Sequence, residues 1–206
     1  MKQRKTTLTF AGQAGFILES ADGYRMGVDL YLSNCCERYF GFKRLMPYLY
    51  DPLDLKLDTV VATHAHYDHF DPDSVPLLLR NGKTELVCAH DVKIEVDKLG
   101  LDERNITYLA IGDVYKNEQV TIKAMPCDHG TLAPDALGLL ITMDGKRIYI
   151  TGGNCLTVGF QAVDIVIQFV ENILSVIHKQ FCPHLGIQPG HTGQILVAAG
   201  GKAFVI

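Results

Sequence analysis

Four side chains of metal-ligand type fall within six residues of one another: His64, His66, Asp68 and His69, in the run Thr63-His64-Ala65-His66-Tyr67-Asp68-His69. Histidines at i and i+2 at the end of a strand project to the same side. After a tight turn, an aspartate and a third histidine can present themselves to the same spot from the start of a helix. Imidazole and carboxylate together suit Zn²⁺, Mn²⁺ or Fe²⁺. Four ligands this close crowd a single ion, so the spacing points to two adjacent ions. The plain alternative is a surface turn of solvated histidines, and the apolar strand directly before the cluster speaks against it. A further candidate is His129, in Asp128-His129-Gly130 after Met125-Pro126-Cys127. A lone histidine at a strand exit is commonly structural; beside the first cluster it supplies the ligand that the first ion lacks. Asp29, at the end of the segment 25–28, can orient a ligand histidine through its other ring nitrogen, or it is a plain turn aspartate.

These side chains need strand ends to carry them. Segments 7–10, 15–19 and 25–29, punctuated by Gly12, Gly15 and an Ala-Asp-Gly turn, predict an antiparallel meander. Residues 30–56 are irregular, aromatic and contain two prolines, as expected of a long excursion over one face that shapes a binding site. The β-branched segment 59–63 is a strand that ends in the histidine cluster. Segment 71–81 carries helix signals, with Pro72 near its start and Asn81-Gly82 as its stop. Further strands are expected at 86–89, 106–109, 119–125, 137–142 and 147–150, with a short helix over 92–99 ended by Gly100. Met143-Asp144-Gly145-Lys146 is a hairpin turn. Beyond Phe160 the pattern weakens: 163–170 is strand-like, 172–179 helical, and 181–201 has no clear period. Consecutive strands with interspersed helices predict a single α/β layered domain over 1–206.

The chain has 206 residues, 48% hydrophobic and 20% charged, enough for one domain with a proper core. A net charge of −4 leaves no basic stripe for nucleic acid and no attraction to an anionic membrane. A small anionic substrate has to be caught by local groups. No uninterrupted apolar run is long enough to span a bilayer. Although residues 1–5 are basic, 6–10 alternates instead of forming a signal-peptide core, so the cytoplasm is the expected location. The six cysteines, Cys35, Cys36, Cys88, Cys127, Cys155 and Cys182, form no C-x-x-C pair and read as reduced thiols.

The cluster His64-x-His66-x-Asp68-His69 resembles the H-x-H-x-D-H motif of the metallo-β-lactamase superfamily. The opening Phe10-Ala11-Gly12-Gln13-Ala14-Gly15-Phe16, the strand-end Asp29-Leu30-Tyr31-Leu32-Ser33, and Leu45-Met46-Pro47 with Asp51-Pro52-Leu53-Asp54-Leu55 are similar to its L-ascorbate-6-phosphate lactonase-like branch. The resemblance covers roughly residues 6–160. It implies an αβ/βα sandwich. It also implies a first ion, Zn²⁺ or Mn²⁺, held by His64, His66 and His129, and a second by Asp68 and His69. A metal-activated hydroxide would open a small, anionic, phosphorylated lactone or ester, with Asp68 handling the proton. Family members commonly form homo-oligomers, which makes a homo-oligomer an expectation here as well.

The sequence departs from that pattern in two places. The family carries a bridging aspartate in a strand-end T-G-D, where this chain has Thr151-Gly152-Gly153-Asn154; glycine has no ligand atom, so a poorly filled second site is expected. The family's late histidine has its nearest match in His191, with His178 and His184 as weaker ones. From about Phe169 the tail follows no family pattern, as a shifted reading frame, a truncation or a decayed gene would make it, and the second half of the sandwich is expected to be incomplete. Three functions therefore stand side by side: a lactonase-like hydrolase, another hydrolase of the superfamily such as a phosphodiesterase or acyl-lactonase, and a non-catalytic metal-binding relic.

Overall fold

The computed structural model describes residues 5–129, 131 and 133–152 in full, and the backbone of three later strands. Two sheets face each other. In the first, β1 (Thr7–Gly12), β2 (Gly15–Glu19) and β3 (Arg25–Val28) form an antiparallel meander. It continues in parallel through β4 (Thr59–Ala62), β5 (Glu85–Ala89) and β6 (Ile106–Leu109). The second sheet runs β7 (Val114–Lys116), β8 (Val120–Pro126), β9 (Leu137–Met143) and β10 (Lys146–Ile150), all antiparallel. The backbone strands β11 (Ile165–Val170), β12 (Gln194–Ala199) and β13 (Lys202–Val205) follow, β11 pairing in parallel with β10.

Period-two alternation decides which face each residue serves. Phe16, Leu18, Val61, Val87 and Ala89 point between the sheets, where Ile122, Leu139, Ile141 and Ile148 meet them. Their neighbours in sequence, Ile17, Val60, Ala62, Leu86 and Cys88, point to the other face. That face is covered by α2 (Val75–Leu79), α3 (Lys93–Leu99) and Phe70. A central sheet buried on both faces reads as short apolar runs, as 59–62 and 85–89 do. The αβ/βα sandwich expected from the sequence is the fold observed over the described residues.

Several elements differ from the expectation. The helix expected at 71–81 is confined to Val75–Leu79, because residues 71–74 are held in turns around the Asp71 carboxylate. Within the aromatic excursion lies α1 (Cys35–Phe40), ended by Gly41 at φ 76, and the short edge strand β7 is a further element the pattern did not disclose. The 181–201 region, without a visible period, contains β12. The hairpin turn is as expected: Asp144 and Gly145 have φ of 50 and 72, the left-handed pair of a type I′ turn. Gly153, Asn154, Cys155, His178, Cys182, His184 and His191 lie outside the described residues, as do the helix expected at 172–179 and most of the tail on which the incomplete second half was argued.

Candidate metal centre

The centre forms where the two sheets meet at their strand ends. β4 leads through Thr63 straight into His64, so the apolar strand delivers the first histidine fully buried. The turn that follows is closed by the His69 and Phe70 amides donating to the His66 carbonyl, 2.9 and 2.7 Å. His129 comes from the other sheet, in the loop leaving β8. The two sheets are tied at this point by the Leu137 amide at the start of β9, which donates to the Thr63 carbonyl at 3.0 Å.

Three of the five predicted ligands converge. One nitrogen each of His64, His66 and His129 lies within 4.8 Å of the other two. His64 Nε2 is 3.0 Å from His66 Nδ1 and 3.1 Å from His129 Nε2. A tetrahedral ion with Zn–N distances near 2.0–2.1 Å spaces its nitrogens roughly 3.3 Å apart, so the donor set fits a divalent ion with little movement. His69 and Asp68 adjoin it: the His69 ring centroid is 4.0 Å from that of His64, and His69 Nε2 is 3.9 Å from Asp68 Oδ2.

The hydrogen-bond network fixes which nitrogens are presented. Asp29 is fully buried, and its backbone is left-handed at φ 49, an unusual state for a non-glycine residue. Its carboxylate accepts from the Thr63 amide at 2.8 Å and from the Thr63 hydroxyl at 2.9 Å. Because that hydroxyl proton is committed to Asp29, Thr63 Oγ1 accepts from His64 Nδ1–H, 3.0 Å away. His64 Nε2 therefore carries the lone pair. The same carboxylate lies 3.0 Å from His69 Nδ1, which presents His69 through Nε2. Of the two readings of Asp29, the orienting role is the one the contacts support. Burial, first, and the neighbouring His69, His129 and His66 push the His64 pKa far below the usual imidazole value. Burial together with His66 and His69 lowers that of His129 as well. Both stay neutral, which is the form that ligates metal.

Three supporting residues escaped the sequence reading. Asp71, completely buried, accepts from the amides of Leu32, Ser33, Asp73 and Ser74 and from the hydroxyls of Ser33 and Ser74, locking the turn after the motif to the segment after β3. Asp91, just beyond β5, accepts from the amide of Ala65, between the first two histidines, at 3.2 Å; burial raises its pKa. Cys35 donates its thiol to the Tyr67 carbonyl at 3.4 Å. Each is a long-range contact between unremarkable residue types, and no local pattern marks it. Cys35, Cys36, Cys88 and Cys127 are all outside any disulfide, as expected. Among the described residues no helix is long and apolar enough to cross a membrane.

Known proteins resemble this chain in sequence and fold. Residues 31–164 match the model of the Beta-lactamase superfamily domain. A UPF0173 metal-dependent hydrolase of Thermus thermophilus is 29% identical over 109 residues, covering 50% of this chain and 46% of that protein. One from Saccharolobus solfataricus is 26% identical over 109 residues, covering 52% and 48%. The chain thus spans about half the length of the curated relatives it matches. Igni18, a metallo hydrolase from Ignicoccus hospitalis, has a structure that superposes with a TM-score of 0.51 at 25% identity, over 70% of this chain and 59% of its own. With a family model matched over more than half its length, the chain belongs to the metallo-β-lactamase superfamily.

Proposed function

We propose that this chain is a metal-dependent hydrolase that opens a small lactone or related ester. The observation that carries this reading is the convergence of His64, His66 and His129, with one nitrogen each within 4.8 Å, at the junction of two sheets. His64, His66 and His129 would hold a first divalent ion, Zn²⁺ or Mn²⁺, and Asp68 with His69 a second. A divalent ion held there would supply Lewis acidity, lowering the pKa of a bound water toward neutrality and polarising an ester carbonyl. The chain's own residues do the rest. Thr63 and Asp29 keep His64 and His69 in the tautomers that offer Nε2. Asp68, with 26% of its side chain exposed beside His69, is placed to take up the proton released as water attacks and return it to the leaving alkoxide. The resemblance in the sequence brings L-ascorbate 6-phosphate as one lactone to test; phosphodiesters and acyl-lactones are the other arms of the panel.

The test is turnover of that panel by protein reloaded with Zn²⁺ or Mn²⁺, against the chelator-treated control and His64→Ala. Metal-dependent hydrolysis of a lactone, abolished in His64→Ala, is expected. Turnover of a phosphodiester alone would move the substrate class, and no turnover of any member with metal bound would overturn the reading. The non-catalytic alternative rests on Gly153 in place of a bridging carboxylate. It is addressed by metal content: about one ion per chain, rising toward two in Gly153→Asp together with activity, marks a damaged dinuclear enzyme. Near two ions in the unaltered chain means that another residue replaces the bridge.

A further inference from the structure

An exposed aromatic surface lies beside the candidate metal motif. Tyr67 stands between His66 and Asp68, and two rings from α1 and its end lie against it. Tyr39 meets it edge-on, with centroids 5.2 Å apart and an interplanar angle of 83°, and Phe40 is also 5.2 Å away, tilted by 53°. Phe40 in turn lies 6.2 Å from Phe42. These contacts leave much of each ring in water: Tyr39 is 57% exposed, Phe40 55% and Phe42 70%. Three adjacent, solvent-facing aromatic residues are costly to leave uncovered, and this group is continuous with the ligand loop through Tyr67.

The wall is held in place. In the same excursion the Arg44 guanidinium packs on the Tyr31 and Tyr48 rings, 4.5 and 4.9 Å from their centroids, and donates to the carbonyls of Tyr31, Ser33 and Met46. Cys35 and the hydroxyl of Tyr67, which donates to Glu95 at 3.0 Å, pin the Tyr67 end. An aromatic surface with its supports already satisfied is pre-organised for a ligand. Its cations are largely committed: Arg44 to those carbonyls, and Arg38 to Asp73 and to one face of the Tyr39 ring, 5.3 Å from its centroid, which leaves the Phe40 and Phe42 rings as the ones without a cation over them among the described contacts. Exposed Lys43 is a solvated ammonium, worth little against three ring faces.

We infer that Tyr39, Phe40 and Phe42 form the subsite for an uncharged aryl or alkyl group of the substrate, so that the chain acts on apolar esters or lactones in preference to phosphorylated ones. This rests on the hydrolase reading and narrows its substrate class. In the reaction the acyl C–O bond breaks as water adds its oxygen to the carbonyl carbon and a proton from that water passes to the leaving oxygen, giving a hydroxy acid from a lactone, or an acid and an alcohol from an open ester. The aromatic wall holds the apolar part and takes no part in bond exchange.

The test compares dihydrocoumarin, an uncharged aryl lactone, with 6-phosphogluconolactone, in the metal-loaded full chain and in Phe40→Ala and Tyr39→Ala. It also measures binding of 3,4-dihydro-2-quinolinone, the lactam that mimics the first but resists hydrolysis, by titration in nuclear magnetic resonance. The expected kcat/KM is about tenfold higher for dihydrocoumarin. Phe40→Ala raises KM for that substrate about fivefold, leaves kcat and the phosphorylated substrate little changed, and weakens lactam binding in the same proportion. Preference for the phosphorylated lactone, equal losses on both substrates, or lactam binding indifferent to both substitutions would overturn the subsite while leaving the hydrolase reading intact. Lactam binding that depends on Phe40, with no turnover of either lactone, would keep the subsite and sink the hydrolase. A dimer that Phe40→Ala dissociates would show that a second copy covers the wall, and the substrate role would fall.

Discussion

At the scale of single residues, the most consequential side chain is one that touches no candidate ion. Asp29 accepts two hydrogen bonds in a buried site, from the Thr63 amide and the Thr63 hydroxyl, and its carboxylate lies 3.0 Å from His69 Nδ1. Asp29→Ala removes the acceptor of the Thr63 amide and hydroxyl and the carboxylate beside His69, at a cost of about 3 kcal/mol or more of stability. Zinc affinity is expected to fall by about 10–100-fold, measured by chelator competition. Asn at this position tolerates the left-handed backbone and keeps one acceptor for the Thr63 amide, so Asp29→Asn should retain more stability than Asp29→Ala while still losing metal affinity. The buried histidines give a pH dependence of definite sign. The folded-state pKa values of His64 and His129 lie below the ordinary 6.5, so the unfolded chain binds protons that the native chain does not. Their contribution is fully present above pH 6.5 and is lost as pH falls below it. Urea midpoints of chelator-treated protein should therefore decline through that range, and His64→Gln should flatten the decline.

At the scale of elements, the site depends on how strand ends and turns are clamped. Gly152 follows β10 with φ +66, and a Cβ there would sit 2.0 Å from the Leu137 carbonyl oxygen and 3.0 Å from Thr63 Cβ. The obstructing atom is backbone, so it cannot swing aside as a side-chain tip could. Gly152→Ala must displace the start of β9, whose Leu137 amide holds Thr63. The left-handed conformation alone costs about 1–2 kcal/mol. A lower melting temperature accompanied by weaker zinc binding is expected; a change in stability with unaltered metal affinity would show that the β9 contact does not aim the ligands. Asp71→Ala works from the opposite side of the motif, unlocking the turn before α2 from the segment after β3. Losing an acceptor shared by six donors places it among the severe substitutions, above about 3 kcal/mol.

At the scale of the whole molecule, an ion held by the three histidines would join halves of the chain already held by apolar packing and by hydrogen bonds such as that of the Leu137 amide to the Thr63 carbonyl. His64 and His66 come from the first sheet and His129 from the second, so an ion binding the native state adds a cross-link between the sheets. Saturating zinc at 100 times its dissociation constant should stabilise the protein by about 2.7 kcal/mol. If the ion bridges the sheets, amide-exchange protection should rise in both β4 and the β8–β9 pair. A rise confined to β4 would mean that His129 stays out of the coordination shell.

The sequence by itself picked out the candidate ligands and the layered fold that carries them. Four ligand types directly after an apolar strand have a meaning independent of the rest of the chain, and the apolar runs around 59–62 and 86–89 mark strands, whose residues divide between two faces only in the fold. The Asp144-Gly145 turn was legible because a two-residue hairpin demands left-handed residues. Only the tertiary structure decided what lies far apart in sequence. The expected meeting of His129 with His64 spans 65 positions, and of the two readings of Asp29, orienting group or turn aspartate, the contacts with Thr63 and His69 chose the first. Helix signals at 71–81 were overruled because the buried Asp71 carboxylate offered the backbone better partners in turns. The physical reason is one of range. Strand alternation and turn chemistry act over a few residues and are written locally, whereas buried polar groups find their partners only when the sheets close.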